Sequence, residues 1–184
     1  ADAIAQSRHR LRTRVFAVWI DGLQIYSTAV NNSNQGGIYS RIPSTASGWT
    51  KISNNIIRGP NTDTAASYND GIQFYMSDDD VEGYIWNNII YDFIGTLART
   101  EGAMTFWVAA DYYVYNNTVD NCAYGIYHSN GNIYAKNNII QNCIMDYDPG
   151  LHSSSDYNIS SDWTAPGANS QTTTTVAFVS AATE

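Results

Sequence analysis

Acids and flat rings are the side chains of this sequence best suited to chemistry, and both recur at patterned places. Asp63, Asp70, Asp78, Asp79 and Asp80 fall within one short stretch. Two carboxylates held several ångströms apart on one face would supply the acid and base of a glycosidase, so Asp63, Asp70, Asp78 and Asp79 are the candidate catalytic residues. Calcium takes oxygen ligands of the same kind, and Asp78, Asp79 and Asp80 are the candidate metal ligands. A solvated acidic turn is the plain alternative, since adjacent carboxylates repel unless water or a cation screens them. The second set comprises Tyr39, Gln73, Tyr75, Thr105, Trp107 and Tyr127, with His128 beside the last. Rings set in a row stack on sugar faces while neighbouring polar groups bond the hydroxyls. The alternative for the same rings is strand-on-strand packing. His9, His128 and His152 lie in different parts of the chain, so no histidine metal site or triad is expected.

One phrase, repeated four times, must position these residues. It reads Ile-Ser-Asn-Asn-Ile-Ile from Ile52, Ile-Trp-Asn-Asn-Ile-Ile from Ile85, Val-Tyr-Asn-Asn-Thr-Val from Val114 and Ala-Lys-Asn-Asn-Ile-Ile from Ala135. The first Asn of each pair falls at 54, 87, 116 and 137, giving spacings of 33, 29 and 21 residues. A degraded copy follows at Asp156, Tyr157, Asn158 and Ile159. Repeats of this length mean stacked units rather than one globular core. Upstream of each Asn pair stands a glycine followed by alternating apolar residues, led by Gly37, Gly71, Gly102 and Gly125. Each unit is therefore a Gly-led strand, a turn of variable length, a second strand ending at Asn-Asn and a short third apolar stretch.

Strands without any helical pattern, repeated in this way, predict an all-β parallel β-helix whose coils stack about 4.8 Å apart. Asn at a fixed corner has two uses: it tolerates the left-handed backbone of a sharp turn, and its amide can bond the same amide one coil away. Alternation places Ile52, Ile85, Val114 and Ala135 inward and Lys51, Tyr84, Tyr113 and Tyr134 outward. Ile57, Ile90, Val119 and Ile140 return to the core after the corner.

On these repeats the chain resembles the right-handed parallel β-helix proteins of the pectate-lyase-like superfamily, over residues 15–160. The resemblance implies a right-handed solenoid of about five coils, in a single domain spanning residues 1–184. Residues 1–14 form a basic N-terminal segment and residues 162–184 a looser C-terminal one, within which the Thr, Ser, Pro and Gly tract from Thr164 to Thr175 is expected to run over the surface or across an open end. The scaffold carries lyases, glycosidases, tailspikes, adhesins and inert spacers alike, so it says little about function. Asn61, Thr62 and Asp63 with Asp78 and Asp79 are similar to the acid–base motifs of polygalacturonase-type glycosidases. The likeness stops there, because Gly-His-Gly and Arg-Ile-Lys are missing. Lyase chemistry would need a base beside calcium-binding acids, whereas Arg41, Arg58, Arg99 and Lys136 are scattered among turns.

The 184 residues carry a net charge of −8, with 14 Tyr and 5 Trp. An acidic body excludes nucleic acid as the main partner and disfavours polyanionic substrates unless a metal bridges them. No apolar run is long enough to span a membrane, and residues 1–14 contain no signal-peptide core. Cys122 and Cys143 each lie six residues beyond the first Asn of their pair, so they are expected on adjacent coils as stacked free thiols.

The expected function is that of an extracellular bacterial module, secreted or on the cell surface. It is non-catalytic and binds polysaccharide along an aromatic face; no cofactor is expected, although the acids could hold calcium. The first alternative is a polysaccharide lyase or glycosidase. The second is a structural spacer or adhesin segment that forms homo-oligomers through its coil ends, since an open β edge invites pairing.

Overall fold

A computed structural model describes residues 4–6, 11–13, 17–27, 35–41, 48–61, 69–75, 81–95 and 102–178. The chain visits three parallel sheets in rotation, and only its last turn lacks a sheet II strand, with a single bridge from Asp156 to Lys136 in its place. Sheet I holds β2 (Leu11–Thr13), β5 (Gln35–Ser40), β8 (Asn69–Phe74), β11 (Gly102–Phe106), β14 (Tyr124–His128) and β17 (Met145–Tyr147). Sheet II holds β3 (Ala17–Asp21), β6 (Gly48–Ser53), β9 (Val81–Trp86), β12 (Asp111–Tyr115) and β15 (Asn132–Lys136). Sheet III holds β1 (Ile4–Gln6), β4 (Gln24–Tyr26), β7 (Ile56–Arg58), β10 (Ile89–Tyr91), β13 (Thr118–Asp120), β16 (Ile139–Gln141) and β18 (Ile159–Ser160). Every strand pairs with its counterpart one repeat away, and no described residue is helical. Stacked parallel sheets of this kind form a parallel β-solenoid.

The alternation in sequence explains the core. Ile38, Ile72, Met104 and Ile126 are register partners in sheet I, and all are fully buried. Ile52, Ile85, Val114 and Ala135 face them from sheet II, and Ile57, Ile90, Val119 and Ile140 from sheet III, as the alternation predicts. Toward the corner between sheets I and II the core becomes aromatic. Phe74 and Phe106 stack with centroids 5.6 Å apart, and Tyr112 closes on Phe106 at 4.5 Å.

Two residues link sheet II to sheet III, and each has one duty. The first has φ of 55° at Asn54, Asn87, Asn116 and Asn137, with Gly22 and Tyr157 taking the same place at φ 67° and 58°. The second, Asn55, Asn88, Asn117, Asn138 or Asn158, is buried. Its side chain forms the amide ladder: Asn55 Nδ2 to Asn88 Oδ1 at 2.9 Å, Asn88 to Asn117 at 3.0 Å, Asn117 to Asn138 at 3.1 Å, and Asn138 to Asn158 at 3.0 Å. A second left-handed corner, unmarked by any repeated phrase, follows sheet III at Asp92, Asn121 and Asn142.

The Gly-led phrase marks a tight bend. A Cβ on Gly37, Gly71 or Gly125 would collide with Cγ2 of Ile57, Ile90 or Ile140 respectively. In β11 the register differs from the expected one. Gly102 pairs with Asp70 and Met104 with Ile72, so Ala103 stands at the bend and Gly102 lies under Tyr124. Beyond β18 the chain stays tied to the solenoid without forming a strand. Asn158 N donates to Ser170 Oγ at 2.9 Å, and Asp146 Oδ2 accepts the backbone and hydroxyl of Ser161 at 2.6 and 2.8 Å.

Candidate glycan face and corner pocket

Sheet I turns one face outward, and most of the aromatic candidates meet there. Tyr39, Gln73, Thr105 and Tyr127 are register partners across β5, β8, β11 and β14. Tyr75 and Trp107 continue the register just past β8 and β11: Tyr75 N donates to Ser40 O at 2.8 Å and Trp107 N to Phe74 O at 3.1 Å. The Trp107 and Tyr127 rings lie 5.4 Å apart at 57°, and Tyr124 leans on Tyr127 at 5.1 Å and 58°. Tilted rings leave part of their faces uncovered. Tyr75 is 45% exposed, with the Arg41 guanidinium 5.6 Å from its ring centroid. Burial, followed by the nearby Asp148 carboxylate, holds the Tyr124 and Tyr127 hydroxyls above the ordinary tyrosine range.

Two polar atoms on this face are buried without a partner among the described residues: Thr105 Oγ1 and Trp107 Nε1. Unpaired buried polar groups cost about 1–3 kcal/mol each, so native folds retain few of them. Thr105 is fully buried, which interrupts the row between the half-buried Gln73 and Tyr127.

His128 stands elsewhere. Its register partner is Phe106, which places it in the inward column with Phe74. Its Nδ1 is 3.2 Å from Asp148 Oδ2, off the line of a hydrogen bond, while Asp148 Oδ2 accepts the His128 N–H at 3.3 Å. No motif in the sequence marks Asp148, although its 20-residue separation from His128 is close to the local repeat and is the signal that makes them neighbours.

Among the acid candidates, Asp70 is 2% exposed and accepts the Gly102 N–H at 3.3 Å. Asp63, Asp78, Asp79 and Asp80 lie outside the described residues. Among the described residues no group of three His, Cys, Asp or Glu side chains is placed to hold a metal ion.

Sheet II carries its own aromatic face. Lys51, Tyr84, Tyr113 and Tyr134 are register partners. Tyr84 and Tyr113 stack at 4.9 Å and 15°, Tyr113 and Tyr134 at 5.0 Å and 11°, and His152 closes the column 4.2 Å from Tyr134. The Lys51 ammonium sits 4.4 Å from the Trp49 ring and 5.7 Å from that of Tyr84. Rings stacked this way occupy one another's faces and show edges to solvent, which is the cross-strand packing of a sheet. The ladder therefore holds the sheet together and leaves little ring face for a sugar.

At the corner between sheets I and II lies a pocket of about 380 Å³, lined by Ala109, Ala110, Asp111, Asn130, Gly131 and Asn132. Two turns build it: the one that begins after Trp107 and the one that begins after Tyr127 and His128. Asn132 N donates to Ala110 O at 2.9 Å, joining the turns, and Asn132 Nδ2 donates to Asp111 Oδ1 at 2.8 Å. Nothing in the sequence marks this pocket, because its two halves are 21 residues apart and resemble ordinary turns.

Fold and site define an all-β parallel solenoid with an aromatic outer face and a polar corner pocket. The chain matches no protein-family model, no curated protein and no solved structure.

Proposed function

We propose that this chain is a non-catalytic module of an extracellular protein that binds polysaccharide along the outer face of sheet I. In this reading the solenoid is the right-handed parallel β-helix of the pectate-lyase-like type, with about five coils, because strand-to-parallel-strand crossovers are overwhelmingly right-handed. Trp107 carries the proposal. Its ring is tilted on Tyr127, and its Nε1–H is buried with no acceptor among the described residues, beside the unpaired Thr105 Oγ1. A sugar ring would stack on the uncovered parts of the Trp107 and Tyr127 faces, while Gln73 and Tyr75 extend the surface along the stack. Catalysis fits less well, since Asp70 is buried against a backbone N–H and out of reach of a polymer.

A glycan array read with wild type, Trp107→Ala and Tyr127→Ala tests this. Binding in wild type that falls at least tenfold in both variants, with unchanged circular dichroism, is the expected result. Equal binding by all three sinks the proposal.

A further inference from the structure

The hydrogen-bonding capacity of the corner pocket is half spent, and the unspent half has a definite chemistry. Asp111 Oδ1 is taken by Asn132 Nδ2 at 2.8 Å, and Asn130 Oδ1 by the Gly131 N–H at 2.9 Å. Among the described residues no partner meets Asp111 Oδ2, Asn132 Oδ1 or the Asn130 amide NH₂. The pocket thus offers two acceptors, one of them charged, and one donor group. Adjacent sugar hydroxyls match that set, because each can donate to an acceptor oxygen while one also accepts from the amide. A volume of about 380 Å³ lies in the range of small-ligand sites and suits a sugar ring.

Charge decides which sugar. Glu82 is the register partner of Asp111 on the neighbouring strand, so carboxylates stand on adjacent rungs along this edge. Neither forms an ion pair among the described residues. Glu82 Oε2 instead accepts the Tyr84 hydroxyl at 2.8 Å. A carboxylate or sulfate on the ligand would face Asp111 with no cation between them, and like charges juxtaposed at an interface are strongly disfavoured. The pocket lies on the turns that follow Trp107 and Tyr127 in the chain.

We infer that the Asp111, Asn130 and Asn132 pocket seats one uncharged sugar unit through adjacent hydroxyls, and that Asp111 makes the protein reject glycans carrying carboxylates or sulfates. The inference rests on the outer face of sheet I being a glycan surface, and it adds the selectivity filter. Asp111→Asn preserves the bond to Asn132 and removes the charge, so the variant keeps its fold.

The test is an array of neutral glycans beside their uronate and sulfated counterparts, read with wild type, Asp111→Asn, Asn130→Ala and Trp107→Ala. Wild type is expected to bind neutral glycans only. Asp111→Asn should shift the neutral-to-acidic preference by on the order of tenfold toward acidic chains, and Asn130→Ala should weaken neutral binding. If Trp107→Ala abolishes binding while Asp111→Asn leaves the preference unchanged, the filter is wrong and the glycan face stands. No binding by wild type overturns both.

Discussion

The side-chain amide of Asn88 donates to Oδ1 of Asn117 at 3.0 Å, and the same oxygen accepts the backbone N–H of Asn88 at 3.0 Å. Each buried Asn thus closes the corner of the neighbouring rung twice while using its own Nδ2 on carbonyls of the core strands, as Asn117 does on Ile85 and Tyr115. The column begins where Leu23 N donates to Asn55 Oδ1 and ends where Asn158 N meets Ser170 Oγ. The preceding residue in each pair makes the turn and stays exposed.

This division of labour sets two neighbouring substitutions apart. Asn117→Ala leaves the Asn88 N–H, the Asn138 amide oxygen and the Ile85 carbonyl short of a buried partner, and should cost about 3–4 kcal/mol. Asn116→Gly keeps the left-handed turn at φ 55° and should change stability by no more than about 1 kcal/mol. Urea unfolding of both measures the contrast. Equal losses would show that the column is not what holds the corner.

Tyr113 stacks on both sides, against Tyr84 and Tyr134. Each such contact contributes about 0.5–1.5 kcal/mol beyond simple burial, so Tyr113→Ala should lose about 1–3 kcal/mol. Tyr113→Phe keeps the rings and should stay within about 0.5 kcal/mol of wild type. Glycan binding should be the same in both, because the ladder lies on sheet II and the proposed face on sheet I.

The repeat makes much of this legible. Alternation around each Asn pair identifies the core set of Ile52, Ile57 and their equivalents, because a residue on a strand must face in or out. It cannot say which Asn of a pair turns and which bonds, since the two are chemically identical and differ only in backbone angle. The second corner is hard to see because it is Asp92 in one coil and Asn121 and Asn142 in the next two, with no Asn pair to mark it. A place beside Tyr127 suggests that His128 faces outward with it, but adjacent strand residues face opposite ways, and its partner Phe106 lies in the core. The corner pocket joins two turns through stacking, which only the register reveals.

Tyr84 should be visible in alkaline titration. Its hydroxyl donates to Glu82, and that bond, then burial, then the Glu82 charge, push its pKa up to about 12 from 10.0. A raised folded pKa contributes stability that is complete below 10.0 and lost as pH rises through about 12. In Glu82→Gln the charge is gone, and NMR of ring-labelled tyrosine should show the Tyr84 midpoint moving back toward the ordinary value. An unmoved midpoint would assign the shift to burial alone.

The two cysteines should be inert in the folded protein. Cys122 is 2% exposed, and burial together with the neighbouring Cys122 thiol pushes Cys143 well above the ordinary thiol range. Thiolate is the reactive form, so iodoacetamide at neutral pH should label neither until urea is added, after which both react. Rapid labelling of the native protein would contradict the packing of this corner.

At acid pH, Asp146 and Asp162 should act in opposite directions. Burial works to raise the Asp162 pKa, but the Thr164 hydroxyl, the Asp146 and Thr164 N–H groups and the Ser160 hydroxyl outweigh it, so its carboxyl sits below the ordinary 3.8. Its contribution is therefore present above 3.8 and lost as pH falls through the lower folded value. Asp146 is displaced upward, first by burial and then by the Asp162 charge, against the bonds from Ser161 and Cys143. Its contribution is complete below 3.8 and declines as pH rises through the higher folded value. Urea unfolding across the acid range should show Asp162→Asn furthest below wild type near neutrality, converging with it as pH falls. Asp146→Asn should show its largest deficit in acid, narrowing as pH rises. If both variants follow wild type in parallel at every pH, neither carboxylate is displaced by its surroundings, and their hydrogen bonds are not what ties residues 160–164 to the solenoid.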